Sequence, residues 1–198
     1  MKLDKAKIKL FSTIGSRATF GLVCLDLAKE VDNLIVLTSD VSTSAGLDRF
    51  KLKYPEKYLD VGIAEQNLIG VATGLSSGGH NVFTTTFAPF QTMRCFEQIK
   101  VNLGYMKKKV TMVGIASGVA LGTLGFTHCS IEDVSLMRSI PGMTVISPAD
   151  CGEVAKSVFA AAKYNGPIYI RLTGTANNPI VYNEDYSFEI GKPIKLED

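Results

Sequence analysis

The sequence predicts an α/β fold: a mostly parallel sheet with helices on both faces. Three observations lead there. The short continuous apolar run at residues 34–37, and the largely apolar VTMVGIA at 110–116, have the pattern of strands buried on both faces. Stretches of helical spacing separate these runs, so successive strands need crossover connections and pair in parallel. Turn residues at Gly78-Gly79, Pro141-Gly142 and Asn165-Gly166-Pro167 punctuate the alternation.

Taken in order, residues 16–30 read as a helix with Ser16 as its cap, and residues 34–37 as the first strand. Residues 63–76 form a helix that Gly78-Gly79 stops. NVFTTTF, rich in β-branched and aromatic residues, is a strand. Residues 91–106 are helical, and 110–116 is a further strand. A loop spaced by Gly118, Gly122 and Gly125 follows. Ser130 with Asp133 resembles a capping box for a helix through Ser139. MTVIS is a strand, 149–164 a helix and IYIRL the last strand. Beyond residue 175 the polar, proline-broken pattern is that of a peripheral hairpin or linker. One domain over 1–175 and a connector over 176–198 are therefore expected. Ligands on such sheets bind at strand carboxyl ends, which here means the loops after residues 37, 85, 116 and 147.

Composition narrows the function. The 198 residues carry 46% hydrophobic side chains, enough for a sizeable core. A net charge of +2, from 21 basic and 19 acidic residues, makes no electrostatic case for nucleic acid or an anionic membrane. The run Lys107-Lys108-Lys109 reads as a solvated turn. No apolar stretch reads as long enough to span a bilayer, and MKLDKAKIKLF lacks the continuous apolar core of a signal peptide. Cys24, Cys95, Cys129 and Cys151 form no CxxC pair, and His80 and His128 lie far apart, so no metal site is expected. Isolated thiols fit a reduced, cytoplasmic protein, packed as small hydrophobes.

Three segments carry residues suited to chemistry. In DVGIAEQNLIGVATGLSSGG (60–79), Glu65 lines up with Leu68, Ile69 and Ala72 on one helical face. Two readings stand for it: an acid favoured by the helix dipole in the first turn, or a carboxylate in a poorly solvated site, ready to exchange protons. In TTTFAPFQTMRCFEQI (84–99), Phe87 and Phe90 follow a strand end beside Pro89, as core packing or as a stacking surface for a flat heterocycle. In GVALGTLGFTHCSIEDVSLMR (118–138), glycines permit close backbone approach, but the spacing is no dinucleotide fingerprint. His128, just before a helix start, either meets an anion or is merely hydrogen-bonded.

Taken together and in order, GIAEQN, the TTTF strand end, the loop ending in GFTHCSIED, and IPGMTVISPAD resemble the transketolase-like pyrimidine-binding domain, most of all the C-terminal subunit of split transketolases. The resemblance runs from about Phe11 to the chain end, whose YNEDYSFEIGKPIKLED looks like the connector into a third domain that the sequence is expected to lack. It implies thiamine diphosphate with Mg²⁺ as cofactor and transfer of a two-carbon ketol unit between sugar or sugar-phosphate substrates. Glu65 matches the glutamate that hydrogen-bonds N1′ of the aminopyrimidine and so activates the cofactor. Phe87 and Phe90 match aromatics around the pyrimidine, and Asp40 matches an acid near the cofactor. Arg17 and Ser44 match contacts to the sugar-phosphate end, and His128 matches a histidine of the substrate channel with a catalytic part.

Three positions depart from the family's pattern. Leu124 stands where an aspartate is usual, Ala116 where many members have a histidine, and Gly174 where many have an arginine. The sequence also holds no GDG, the motif through which the family binds metal and diphosphate in a separate domain. The resemblance therefore implies a partner, a GDG-containing N-terminal subunit, and a homodimer of this chain that is inactive alone. Chemistry like that of deoxyxylulose phosphate synthase or the 2-oxo acid dehydrogenases is the alternative within enzymes. A non-catalytic relic serving as scaffold is the alternative outside them.

Overall fold

The computed structural model of the chain describes residues 1–196. Its centre is a single six-stranded sheet, every strand pair parallel, in the order β2-β1-β3-β4-β6-β5. The strands are β1 (Leu34–Thr38), β2 (Tyr58–Asp60), β3 (Asn81–Phe87), β4 (Val110–Ile115), β5 (Thr144–Ile146) and β6 (Ile168–Arg171). The apolar runs are strands because both their faces are covered. All six residues of β4 are buried.

Helices α1 (Lys5–Glu30), α2 (Asp48–Lys53) and α7 (Cys151–Lys163) supply one core, in which Phe20, Val23, Phe50 and Val158 pack on Val36, Phe83 and Val113. On the other face lie α3 (Glu65–Ser77), the short α4 (Ala88–Gln91), α5 (Phe96–Ile99) with its π-helical continuation Lys100–Tyr105, and α6 (Asp133–Arg138). There Leu68, Ile69, Ile99, Leu103 and Met137 close over Leu37, Val82, Met112 and Tyr169.

Several expectations are corrected. The first helix starts at Lys5, where Asp4 accepts the Lys7 N–H at 2.7 Å, and not at Ser16. The helix does break just before Ser16: Gly15 adopts φ 84°, ψ 172°, open to glycine alone, because a Cβ there would lie 2.3 Å from the Thr175 carbonyl oxygen. Ser16 caps nothing. Its hydroxyl donates to the Thr173 carbonyl at 2.9 Å, tying the break to the segment after β6. The predicted helix over 91–106 is interrupted between Gln91 and Phe96 and then widens into a π turn. The capping box also fails. Glu132 holds the N-cap position without a side-chain bond, while Ser130 pairs with Gly118 in an isolated antiparallel bridge. A true capping pair sits instead at α7, where Asp150 accepts the Glu153 N–H at 2.8 Å and Glu153 accepts from Ala149 at 2.7 Å. The pair α2 and β2 was unreadable, since the charged DRFKLKYPEKYLD shows neither period.

α1 also overturns the expectation about apolar stretches. Its 26 residues are long and apolar enough to cross a membrane, with a mean hydropathy of 1.2 over the best window. Half of that window is buried inside the protein, and the helix packs along α7, as a core helix does. Residues 173–196 form no hairpin, since they hold no strand. They lie across α1 and α7 as a strap. Asn177 and Asn178 donate to the carbonyls of Thr13 and Ser12, Val181 and Tyr182 both donate to Asp150, and Lys156 reaches Asp185 at 2.7 Å.

Candidate functional site

Parallel strands leave their carboxyl ends along one edge of the sheet, and the turns there carry the residues singled out above. Between β2 and α3 the chain turns at Gly62, with φ 73°. Asp60 accepts the N–H groups of Asp40 and Gly62 at 3.0 and 2.9 Å. Ser39 donates to the Gly62 carbonyl and accepts the Ala64 N–H at 3.0 Å. The end of β1 and the start of α3 are thus fastened together, and Glu65, the first residue of α3, is aimed from a fixed base. Asp40 belongs to this turn but is exposed, its backbone held at φ 54°.

Glu65 is 6% exposed, and Leu68, Ile69 and Ala72 behind it are fully buried, so the predicted stripe is present with the acid at its head. Its Oε1 accepts from Arg94 at 2.7 Å. The Arg94 guanidinium in turn lies 3.9 Å from the Phe90 ring centroid, a cation–π contact that holds it flat. Phe87 ends β3 and Phe90 sits one turn on, with Pro89 fixing the intervening backbone. Their rings meet edge to face at 6.1 Å. His128 comes from the distant glycine loop and packs on both, at 5.9 Å from Phe87 and 5.2 Å from Phe90. Its Nδ1 shares a hydrogen bond with the Thr127 hydroxyl at 3.0 Å.

Glu65, Phe87, Phe90 and His128, scattered over 64 residues of sequence, thus form one group, with Arg94 as its clasp. Arg17 and Ser44 line a separate cleft of about 260 Å³, with Gly15, Ser16, Thr43, Gly46 and Gly174. None of the four grouped residues lines it. Gly174 also lines it, with φ 81°, a backbone that other residues rarely adopt, and a Cβ there would lie 2.5 Å from the Asn178 side-chain amide and displace it. Leu124 is 54% exposed on the loop, and Ala116 is buried at φ 54°.

The cysteines are packing groups. Burial pushes the Cys95 thiol up to about 12, aided by the nearby Glu65 charge, and its Sγ contacts the Phe90 carbonyl oxygen at 3.2 Å. Burial alone raises Cys24, and it brings Cys151 to about 11. Cys129 is half-buried. Arg94, Ser39 and Asp60 were missed by the sequence reading.

Fold and site together define a parallel α/β domain whose strand carboxyl ends present a buried acid beside an aromatic cluster. The chain belongs to the family of transketolase pyrimidine-binding domains, which matches residues 12–178. It is 37% identical over 93% of its length to an apulose-4-phosphate transketolase subunit of Phocaeicola vulgatus. It is equally identical, over 93%, to a putative transketolase C-terminal section of Methanocaldococcus jannaschii. Among solved structures, a split-gene transketolase described as an inactive β4 tetramer superposes with a TM-score of 0.83, at 38% identity over 93% of this chain and 59% of the other. The chain spans 59% and 58% of the length of the two curated relatives.

Proposed function

We propose that this chain is the pyrimidine-binding subunit of a thiamine diphosphate-dependent, transketolase-type transferase that moves a two-carbon ketol unit between sugar or sugar-phosphate substrates. The observation that carries the reading is Glu65: a nearly buried carboxylate at the head of α3, beside aromatic rings suited to a flat heterocycle. The residues fit the aminopyrimidine end of the cofactor. Phe87 and Phe90 give it apolar walls and exclude water, while Glu65 presents a carboxylate for a ring nitrogen. When bound, the cofactor supplies the carbanion chemistry. Arg94 already donates to Glu65 Oε1 and restrains the carboxylate, which would remain able to accept from a ring nitrogen. Proton control at that carboxylate would be the contribution of this chain.

In this reading Asp40, near the head of α3, faces the cofactor. His128 faces the substrate, with Arg17 and Ser44 at its far end. Mg²⁺ and the diphosphate are held by a GDG-containing N-terminal subunit, and this chain pairs with a second copy in the cytoplasm. A pairing surface is supported by exposed apolar side chains along the π turn and its flanks, with Tyr105 at 85%, Met93 at 51%, Met106 at 47% and Val101 at 41%. Gly174, Leu124 and Ala116 leave the substrate fewer polar contacts than the family pattern supplies. The substrate is therefore read differently from that of an ordinary transketolase.

The test is reconstitution with the N-terminal subunit, thiamine diphosphate and Mg²⁺. Glu65→Ala is expected to lower turnover by roughly 10²-fold or more while melting as a folded protein. Near-normal turnover in that variant removes Glu65 from the mechanism.

A further inference from the structure

The ion pair between Asp133 and Arg171 stands apart from the group around Glu65. The Asp133 side chain is fully buried, at the start of α6. It accepts from Arg171 Nε at 2.9 Å and Nη2 at 3.3 Å, and from the Tyr169 hydroxyl at 2.8 Å. Burial, with the neighbouring Asp133 charge, pushes the Tyr169 phenol far up, so the phenol remains a donor. A buried carboxylate with three donors in fork geometry is a rigid group. Breaking such a pair by removing one partner is far costlier than breaking any surface ion pair.

Its position is what gives it a role. Gly118 and Ser130 exchange two backbone hydrogen bonds, at 3.0 and 2.8 Å, and close the neck of the glycine loop. Asp133 is three residues past that neck. Arg171 Nη2 lies beneath it, 3.9 Å from where a Gly118 Cβ would be. The Ser117 N–H, just before the neck, donates to the Leu172 carbonyl, so the strand that carries Arg171 also fastens the entry to the loop. His128 stands two residues before Ser130; its N–H and that of Cys129 donate to the Gly125 carbonyl, so the loop is bonded within itself, while Val119, Leu124 and Phe126 are 71%, 54% and 83% exposed and do not pack it on the sheet.

We propose that Asp133 and Arg171 are positioning residues, which pin the neck of the glycine loop and thereby hold His128 against Phe87 and Phe90. Neither touches the imidazole. They act through the Gly118–Ser130 bridge. The proposal rests on the reading that His128 works in the substrate channel, but its test needs no turnover.

Amide hydrogen exchange and aromatic contacts are measured by NMR on the whole chain. In Arg171→Met the Gly118 and Ser130 amides are expected to exchange about 10²-fold faster, and the His128 ring contacts to Phe87 and Phe90 to disappear, while Met112 and Val113 in β4 keep their rates. Arg171→Lys, which keeps charge but loses the fork, is expected to recover roughly tenfold of that loss, and it carries the same readout if the methionine variant does not fold. Tyr169→Phe, which spares the ion pair, is expected to leave the neck closed. Unchanged neck exchange with His128 still packed overturns the proposal. So does acceleration spread evenly through β4, or a Tyr169→Phe chain as open as Arg171→Met. An opened neck with His128 released but turnover retained in the reconstituted enzyme would instead count against the functional reading alone.

Discussion

Glu65 and Arg94 meet at 2.7 Å with very unequal burial, the acid 6% and the guanidinium 44% exposed at the side chain. Removing the cation strands a buried carboxylate, whereas removing the acid's charge leaves an arginine that water can reach. Arg94→Met is therefore expected to cost about 1–3 kcal/mol, and Glu65→Gln much less. The double variant should recover most of the difference. A double-mutant cycle in denaturant measures the coupling, and an additive result denies it. The acid was legible in the sequence because its spacing from Leu68, Ile69 and Ala72 is helical. Its partner was not, because a contact between α3 and the start of α5 depends on how both helices lie on the sheet. The same holds for His128 and the two phenylalanines: each was visible singly, but their meeting was visible only by resemblance.

The elements that could be read were those governed by local pattern. β1, β4 and β6 are mostly apolar runs, β3 is rich in β-branched and aromatic residues, α7 ends at a turn, and α3 begins at a stripe. The elements that could not be read depend on tertiary partners. α2 and β2 are stabilised by docking at the sheet edge, and the break in α1 is set by a carbonyl from residue 175. A second close approach shows how tight that docking is. A Cβ on Gly21 would stand 1.9 Å from the Gly46 carbonyl oxygen, with backbone on both sides and nothing flexible to yield. Gly21→Ala is expected to destabilise the chain by about 1–3 kcal/mol and to lower Tm by several degrees, as read by calorimetry. Since Gly46 lines the cleft with Arg17 and Ser44, the same variant shifts that wall. An unchanged Tm would mean that the loop over residues 42–47 moves aside freely.

For the molecule as a whole, the strap over residues 173–196 is the least expected feature. The Lys156 side chain is 6% exposed and paired with Asp185, which also accepts the Leu3 N–H at 3.1 Å. The lysine first, then the Leu3 amide, hold the Asp185 carboxyl below its ordinary range. A carboxyl lowered by folding lends stability that is complete above its unfolded value, near pH 4, and is lost as pH falls through the folded value. Wild type is therefore expected to melt above Asp185→Asn at neutral pH and to converge with it as pH falls through the lowered folded value of Asp185. Melting curves of both across that range check the sign. A gap that widens in acid contradicts it.

The Asp185 bond to Leu3 joins positions 182 residues apart in the sequence. During ribosomal synthesis, α1 emerges early and its outer flank waits uncovered until the strap is made. Closure of this seam therefore waits on the strap, and a chain clipped before Asp185 would display the α1–α7 seam to proteases.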